Sequence, residues 1–94
     1  MTTALVIITD GEMSCYLYQR HSGYPDMLGK RLKDLLKYYK SYSYYSDLQT
    51  ALVKQPLFCF EFAAKPIPSD YVYKINIPDM KLTAYHNEKR VPIK

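Results

Sequence analysis

Tryptophan is absent from these 94 residues, glycine occurs three times and cysteine twice. Each shortage excludes something. Three glycines leave little material for a loop that cradles phosphate on backbone N–H groups, and no such motif is present. Cys15 and Cys59 have no close companions, so they form neither a zinc knuckle nor the framework of a small secreted disulfide scaffold. Both read as thiols that pack as small hydrophobes. No apolar run approaches the roughly 20 residues that cross a bilayer, which argues against a membrane-spanning segment. The start, Met1 to Thr9, is apolar but lacks a basic leader and a small-residue cleavage site, so it reads as a strand and not as a signal peptide. The expectation is a soluble, intracellular chain.

What is present points to a single small domain. The chain is 48% apolar and 23% charged, and so short a chain cannot enclose two cores. Its 13 Lys/Arg against 9 Asp/Glu give a formal charge of +4, a mild bias toward anionic partners. Eleven tyrosines suit a chain that builds core and contact surface from one amphipathic residue type.

Hydrophobic periodicity divides the chain into seven elements. Strands are expected over about 3–9 and 12–20, joined at Asp10-Gly11, where glycine supplies a positive φ. In the second, Met13, Cys15 and Leu17 point one way and Ser14, Tyr16 and Tyr18 the other, with the aliphatic face toward the core. After a turn at His21 to Pro25, Asp26 is a plausible N-cap for a helix over about 27–40. Its Leu28, Leu32, Leu35, Leu36 and Tyr39 gather on one face. A second helix over about 47–54 opens with Ser46 and Gln49 at capping-box spacing and stops before Pro56. Strands follow over about 57–62, 71–77 and 82–86, and Phe58, Phe60 and Phe62 share a face that reads as core. The polar tail from Asn87 to Lys94 is expected to fray. The fold class is therefore α+β, ordered ββααβββ, with one mostly antiparallel sheet and two helices on one face.

Catalytic patterns are weak. His21, His86, Asp26, Asp70, Asp79 and Glu61 fall into no spaced motif. A Cys15/His21 pair is the one arithmetic possibility for a nucleophile and base. His21 is better explained as a turn donor and His86 as an exposed residue near the tail. No catalytic residue, metal ligand or cofactor site is assigned, and no enzyme is expected.

The basic stripe is stronger. Lys30, Arg31, Lys33, Lys37 and Lys40 lie between Leu28 and Lys40 with Asp34 as the single acid, whereas an ordinary solvated helix interleaves both signs. With Arg20 they would neutralise a few phosphates or dock on an acidic protein surface, giving affinity without base specificity. Tyr42, Tyr44 and Tyr45 follow directly, and tyrosine offers large rigid contact area with a polar tip. Arg20, Lys30, Arg31, Lys33, Lys37, Lys40, Tyr42, Tyr44 and Tyr45 form the expected binding surface.

Tyr18-Gln19-Arg20-His21-Ser22-Gly23-Tyr24-Pro25, followed by Leu28-Gly29, resembles a turn in a group of small phage and prophage proteins of uncharacterised function. In that group an Arg-His-x-Asp-Gly-Tyr-Pro turn lies between a Tyr-rich hairpin and a helix. Asp70-Tyr71-Val72-Tyr73-Lys74-Ile75-Asn76 and Leu82-Thr83-Ala84-Tyr85 are similar to its closing strand pair. Here the acid before Gly23 is missing and the turn is one residue shorter, so no role of that acid carries over. The resemblance covers about half the chain and implies a phage protein acting in the host cytoplasm. Small non-enzymatic phage proteins of this size are often inhibitors of host defence, including anti-CRISPR proteins, which cover a surface that the host complex needs. The expected function is thus inhibition of an RNA-guided effector complex by binding the protein or ribonucleoprotein, with possible contact to guide RNA or DNA. The alternative is a small basic RNA- or DNA-binding module.

Overall fold

The computed structural model describes residues 2–37, 45–54, 60–77 and 79–93. Its strands are β1 (Ala4–Thr9), β2 (Ser14–Gln19), β3 (Glu61–Ala63), β4 (Tyr71–Asn76), β5 (Lys81–His86) and β6 (Lys89–Val91). Helix α1 spans Lys30–Leu36 and α2 spans Tyr45–Val53. The strands form one sheet of order β3-β2-β1-β4-β5-β6, in which only β1 and β4 pair in parallel. An α+β fold with a mostly antiparallel sheet is what the alternation predicts.

Strand pairing sorts the residues by face. Leu17, Val6, Tyr73, Ala84 and Val91 lie in one row across β2, β1, β4, β5 and β6. Cross-strand partners share a face, and this row belongs to the core. Ala4, Val6, Ile8, Leu17, Tyr73 and Ile75 are fully buried in one cluster with Leu28, Leu32 and Leu36 from the first helical segment and Leu48 and Leu52 from α2. At roughly 1.5–3 kcal/mol for each fully buried large apolar side chain, this cluster dominates the favourable side of folding.

Among the described residues the largest fully buried side chain is Tyr73. A phenol hydroxyl is tolerated there because it donates to the Gly23 carbonyl at 2.6 Å. Burial, with smaller contributions from Tyr71 and Asp26, pushes the Tyr73 phenol above its usual range. Gly23 also donates its N–H to the Thr2 carbonyl at 3.1 Å. A Cβ at Gly23 would lie 2.8 Å from the Thr3 carbonyl oxygen, so steric room requires glycine at this position. Two bonds thus bolt the His21–Pro25 turn over the β1–β4 pair.

Several expectations need correction. The β1–β2 turn spans Asp10–Met13, closed by the Asp10 N–H on the Met13 carbonyl at 3.2 Å; Gly11 has the expected positive φ of 99°, but β2 starts at Ser14 and not at Glu12. Asp10 Oδ1 accepts from the N–H groups of Glu12 and Met13 at 2.9 and 2.8 Å, and those bonds hold the Asp10 carboxyl below the usual carboxylate range. The first helical segment opens at Pro25, not Met27. Tyr24 is its N-cap, Asp26 makes no capping bond, and Pro25–Gly29 is a π-helical turn in which Gly29 N–H reaches the Tyr24 carbonyl. Proline suits the first helical position because its φ is preset and that N–H needs no partner. Gln49 donates its side-chain amide to the Tyr16 carbonyl at 3.1 Å, fastening α2 to the sheet.

The phenylalanine face is the clearest departure. Phe60 packs against the core, but Phe62 is 62% exposed; Phe58 lies outside the described residues. Phe62 stands opposite Leu17 on the correct face, but β3 is an edge strand of three residues. Alternation names the face without saying whether a layer covers it. The tail also departs from expectation, since Lys89–Val91 forms β6 against β5 and Ile93 packs on the core. Asn87 and Glu88 make the intervening two-residue turn at φ of 50° and 66°, the left-handed conformations of a type I′ hairpin.

Candidate functional site

Helix α1 buries Leu32 and Leu36 and leaves Lys30, Arg31, Lys33 and Lys37 exposed. The leucine spacing gives one core stripe with Lys30, Lys33 and Lys37 along one flank, and Arg31 about 160° round the helix from Lys33 on the other. Lys33 and Lys37 border a groove of about 770 Å³ between α1 and the β5–β6 hairpin. Leu36, Met80, Leu82, Val91 and Ile93 supply its apolar lining. Arg90 lines it from β6, although its pairing with Tyr85 turns the side chain toward the other sheet face. Asp79 is the single acid among the described lining residues, and its Oδ1 faces the Lys81 N–H at 3.4 Å.

The cations differ in how far they are satisfied. Lys37 Nζ lies 3.9 Å from Asp34 Oδ1, with both side chains more than 60% exposed. Such an i,i+3 pair is worth a few tenths of a kcal/mol at most and leaves the charge available to a partner. Among the described residues Lys33 has no ion-pair partner. Arg20, by contrast, donates from Nε to Glu61 Oε1 at 3.2 Å and from Nη2 to Oε2 at 3.5 Å. It lies at the β2–β3 edge, across the sheet from β6, so the structure separates it from the α1 stripe with which the sequence grouped it. Lys30 and Arg31 are exposed on the same helix but do not line the groove. Lys40, Tyr42 and Tyr44 lie outside the described residues. Tyr45 opens α2, and its side chain also lies outside them.

The groove was missed because half of its β-side, Arg90 to Ile93, comes from the tail expected to fray, while Leu82 to Ala84 come from the expected last strand. The usable signal was Val91 and Ile93, two apolar residues at alternating positions after a polar pair, which is a strand pattern despite the absence of glycine in the turn.

The titratable candidates are dispersed, except that His86 meets the Asp70 backbone. Cys15 sits near the start of β2 and His21 beyond its end. The four strand steps from Cys15 to Gln19 alone cover roughly 13 Å at about 3.3 Å each. Burial pushes the Cys15 thiol up to about 11, which suppresses the nucleophilic thiolate at neutral pH. His21 keeps to its turn, with Nδ1 3.5 Å from Ser22 Oγ. His86 is half-buried rather than exposed. It stacks on Tyr71 with centroids 4.6 Å apart, and its Nδ1 is 2.7 Å from the Asp70 carbonyl oxygen. A carbonyl only accepts, so Nδ1 carries the proton. The Asp70 carboxylate accepts from the Thr3 N–H at 2.9 Å and so has a structural task of its own.

The sheet face opposite the Leu17–Val6–Tyr73 row carries Tyr16 and Tyr18 on β2 and Tyr85 on β5, in rows with Ile7, Leu5 and Val72. The connector Pro66–Pro68 overlies part of that face, where an apolar cleft of about 520 Å³ remains. No described helix is long and apolar enough to cross a membrane. The class that the architecture defines is a small α+β domain with a six-stranded sheet. No protein-family model, no curated protein and no solved structure matches the chain.

Proposed function

We propose that this chain is a phage-encoded, non-enzymatic inhibitor that acts in the host cytoplasm by covering a surface of an RNA-guided defence complex. Its contact surface is the groove between α1 and the β5–β6 hairpin. The observation that carries this reading is the pair of exposed lysines, Lys33 and Lys37, at the border of an apolar groove whose described lining holds one carboxylate. An apolar centre with a charged border is the anatomy of a protein contact site. The separation of Cys15 from His21, and the suppressed thiol of Cys15, support a binding role over a catalytic one. The phage and anti-CRISPR parts rest on the family resemblance.

A second reading, direct RNA or DNA binding, is favoured by Tyr16 and Tyr18 on one face of β2, since two tyrosines on one strand can stack successive bases. Phage plating on a CRISPR-proficient host tests the first reading. Expression of the chain should restore plating, and the Lys33→Glu/Lys37→Glu variant should not. Unchanged plating with well-folded protein would sink it. A gel shift with RNA or DNA alone, weakening steeply as salt rises, would favour the second.

A further inference from the structure

Resting on the groove as the contact surface, we infer that its occupant is an acidic, amphipathic protein segment and not the nucleic acid of a ribonucleoprotein. Charge complementarity selects the anionic flank. Lys33 and Lys37 border the groove, Lys30 continues the same flank of α1, and Asp79 is the one acid among the described lining residues. The lining selects the apolar part. Leu36, Met80, Leu82, Val91 and Ile93 are aliphatic or thioether side chains, and no aromatic ring is among the described lining residues. Bases bind such surfaces poorly, because sequence-tolerant nucleic-acid binding relies on aromatic stacking beneath a basic track. A helix carrying leucines on one face and carboxylates on its flank satisfies both sets of groups at once. Met80 suits such a partner, being unbranched and able to repack around different apolar anchors.

The volume agrees. About 770 Å³ is within the usual range of concave binding sites and admits a few apolar side chains. The weak Lys37–Asp34 contact costs little to exchange for a partner carboxylate, since both groups stay solvated at 3.9 Å.

The test uses the full chain and three probes: a fluorescein-labelled helical peptide with leucine at i, i+4 and i+7 and glutamate on its flanks; the same peptide with alanine for leucine; and a single-stranded RNA oligonucleotide. Anisotropy gives affinity, and amide shifts map the site. The expected result is binding of the leucine peptide, with shifts at Leu82 and Val91, and a loss of about tenfold in the Lys33→Glu/Lys37→Glu variant. Lys33→Gln/Lys37→Gln should give a smaller loss, and amide dispersion confirms that both variants fold. Equal binding of the alanine peptide would overturn the inference, because charge alone would then suffice. Groove shifts with RNA and none with peptide would overturn it while leaving the groove as the contact surface. Binding of no probe at the groove would remove both the inference and that surface. Peptide binding without any effect on plating would remove the inhibitor reading alone.

Discussion

At the β2–β3 edge Arg20 is held by Glu61 through two hydrogen bonds, while on α1 Lys33 has no ion-pair partner among the described residues and Lys37 only a loose one. Both regions are exposed, and both were part of one basic stretch in the sequence. The difference is that Glu61 comes from 41 positions away. Charge pairing is settled by strand order, which brings β3 beside β2, and not by the balance of signs within a segment. A cation count therefore overstates the available charge at the β2–β3 edge and describes Lys33 and Lys37 fairly.

The largest effect should come from removing the frame that holds α1 in place. Leu32→Ala should cost about 2–5 kcal/mol in urea or thermal unfolding, because it deletes a fully buried side chain and leaves a cavity. A cost well under 1 kcal/mol would mean that α1 is not anchored and that its cations have no fixed relation to β5–β6. Tyr73→Phe should cost less, about 1–3 kcal/mol, by leaving the buried Gly23 carbonyl without its donor. It should weaken the turn above β1 and β4 while leaving α1 and the Arg20 pair similar in amide spectra.

Charge reversal compares the two regions directly. Lys33→Glu/Lys37→Glu should change unfolding free energy by no more than about 0.5 kcal/mol and weaken capture of an acidic partner by about tenfold. Arg20→Glu should leave that capture unchanged; an equal loss from both variants would erase the distinction. The smallest effect is expected for Glu61→Gln. An exposed pair of this kind contributes about 0–1 kcal/mol, and the difference from the parent protein should shrink as salt rises. A salt-independent loss would assign Glu61 a packing role instead.

Much of the fold was legible because burial follows periodicity. The continuous apolar run of Thr3 to Thr9, the alternation of Tyr71 to Ile77 and the leucine spacing of α1 each put the right residues inside. Three things were not legible. Phe62 has a core-facing register but no cover, because coverage depends on layers contributed by distant segments. β6 was missed because its turn uses Asn87 and Glu88 in left-handed conformations for which glycine is the usual signal. The π-helical turn at Pro25–Gly29 was missed because periodicity at 3.6 residues does not distinguish it from ordinary helix. Of the candidate site, Lys33 and Lys37 were identified from sign asymmetry alone. Half of their opposing wall, Arg90 to Ile93, was hidden in the residues read as a fraying tail.

The parallel pairing of β1 with β4 also has a consequence in time. Thr3 and Asp70, joined by reciprocal hydrogen bonds next to that pairing, are 67 positions apart. The β1–β2 hairpin can form in about 1–10 μs, but the central seam must wait until most of the chain is available. A sheet closed by such distant partners folds more slowly than a helical bundle of the same size. During ribosomal synthesis the strand Ala4–Thr9 therefore spends that interval with one edge unpaired, and it is then that the chain is most open to joining a neighbour's strand instead of its own.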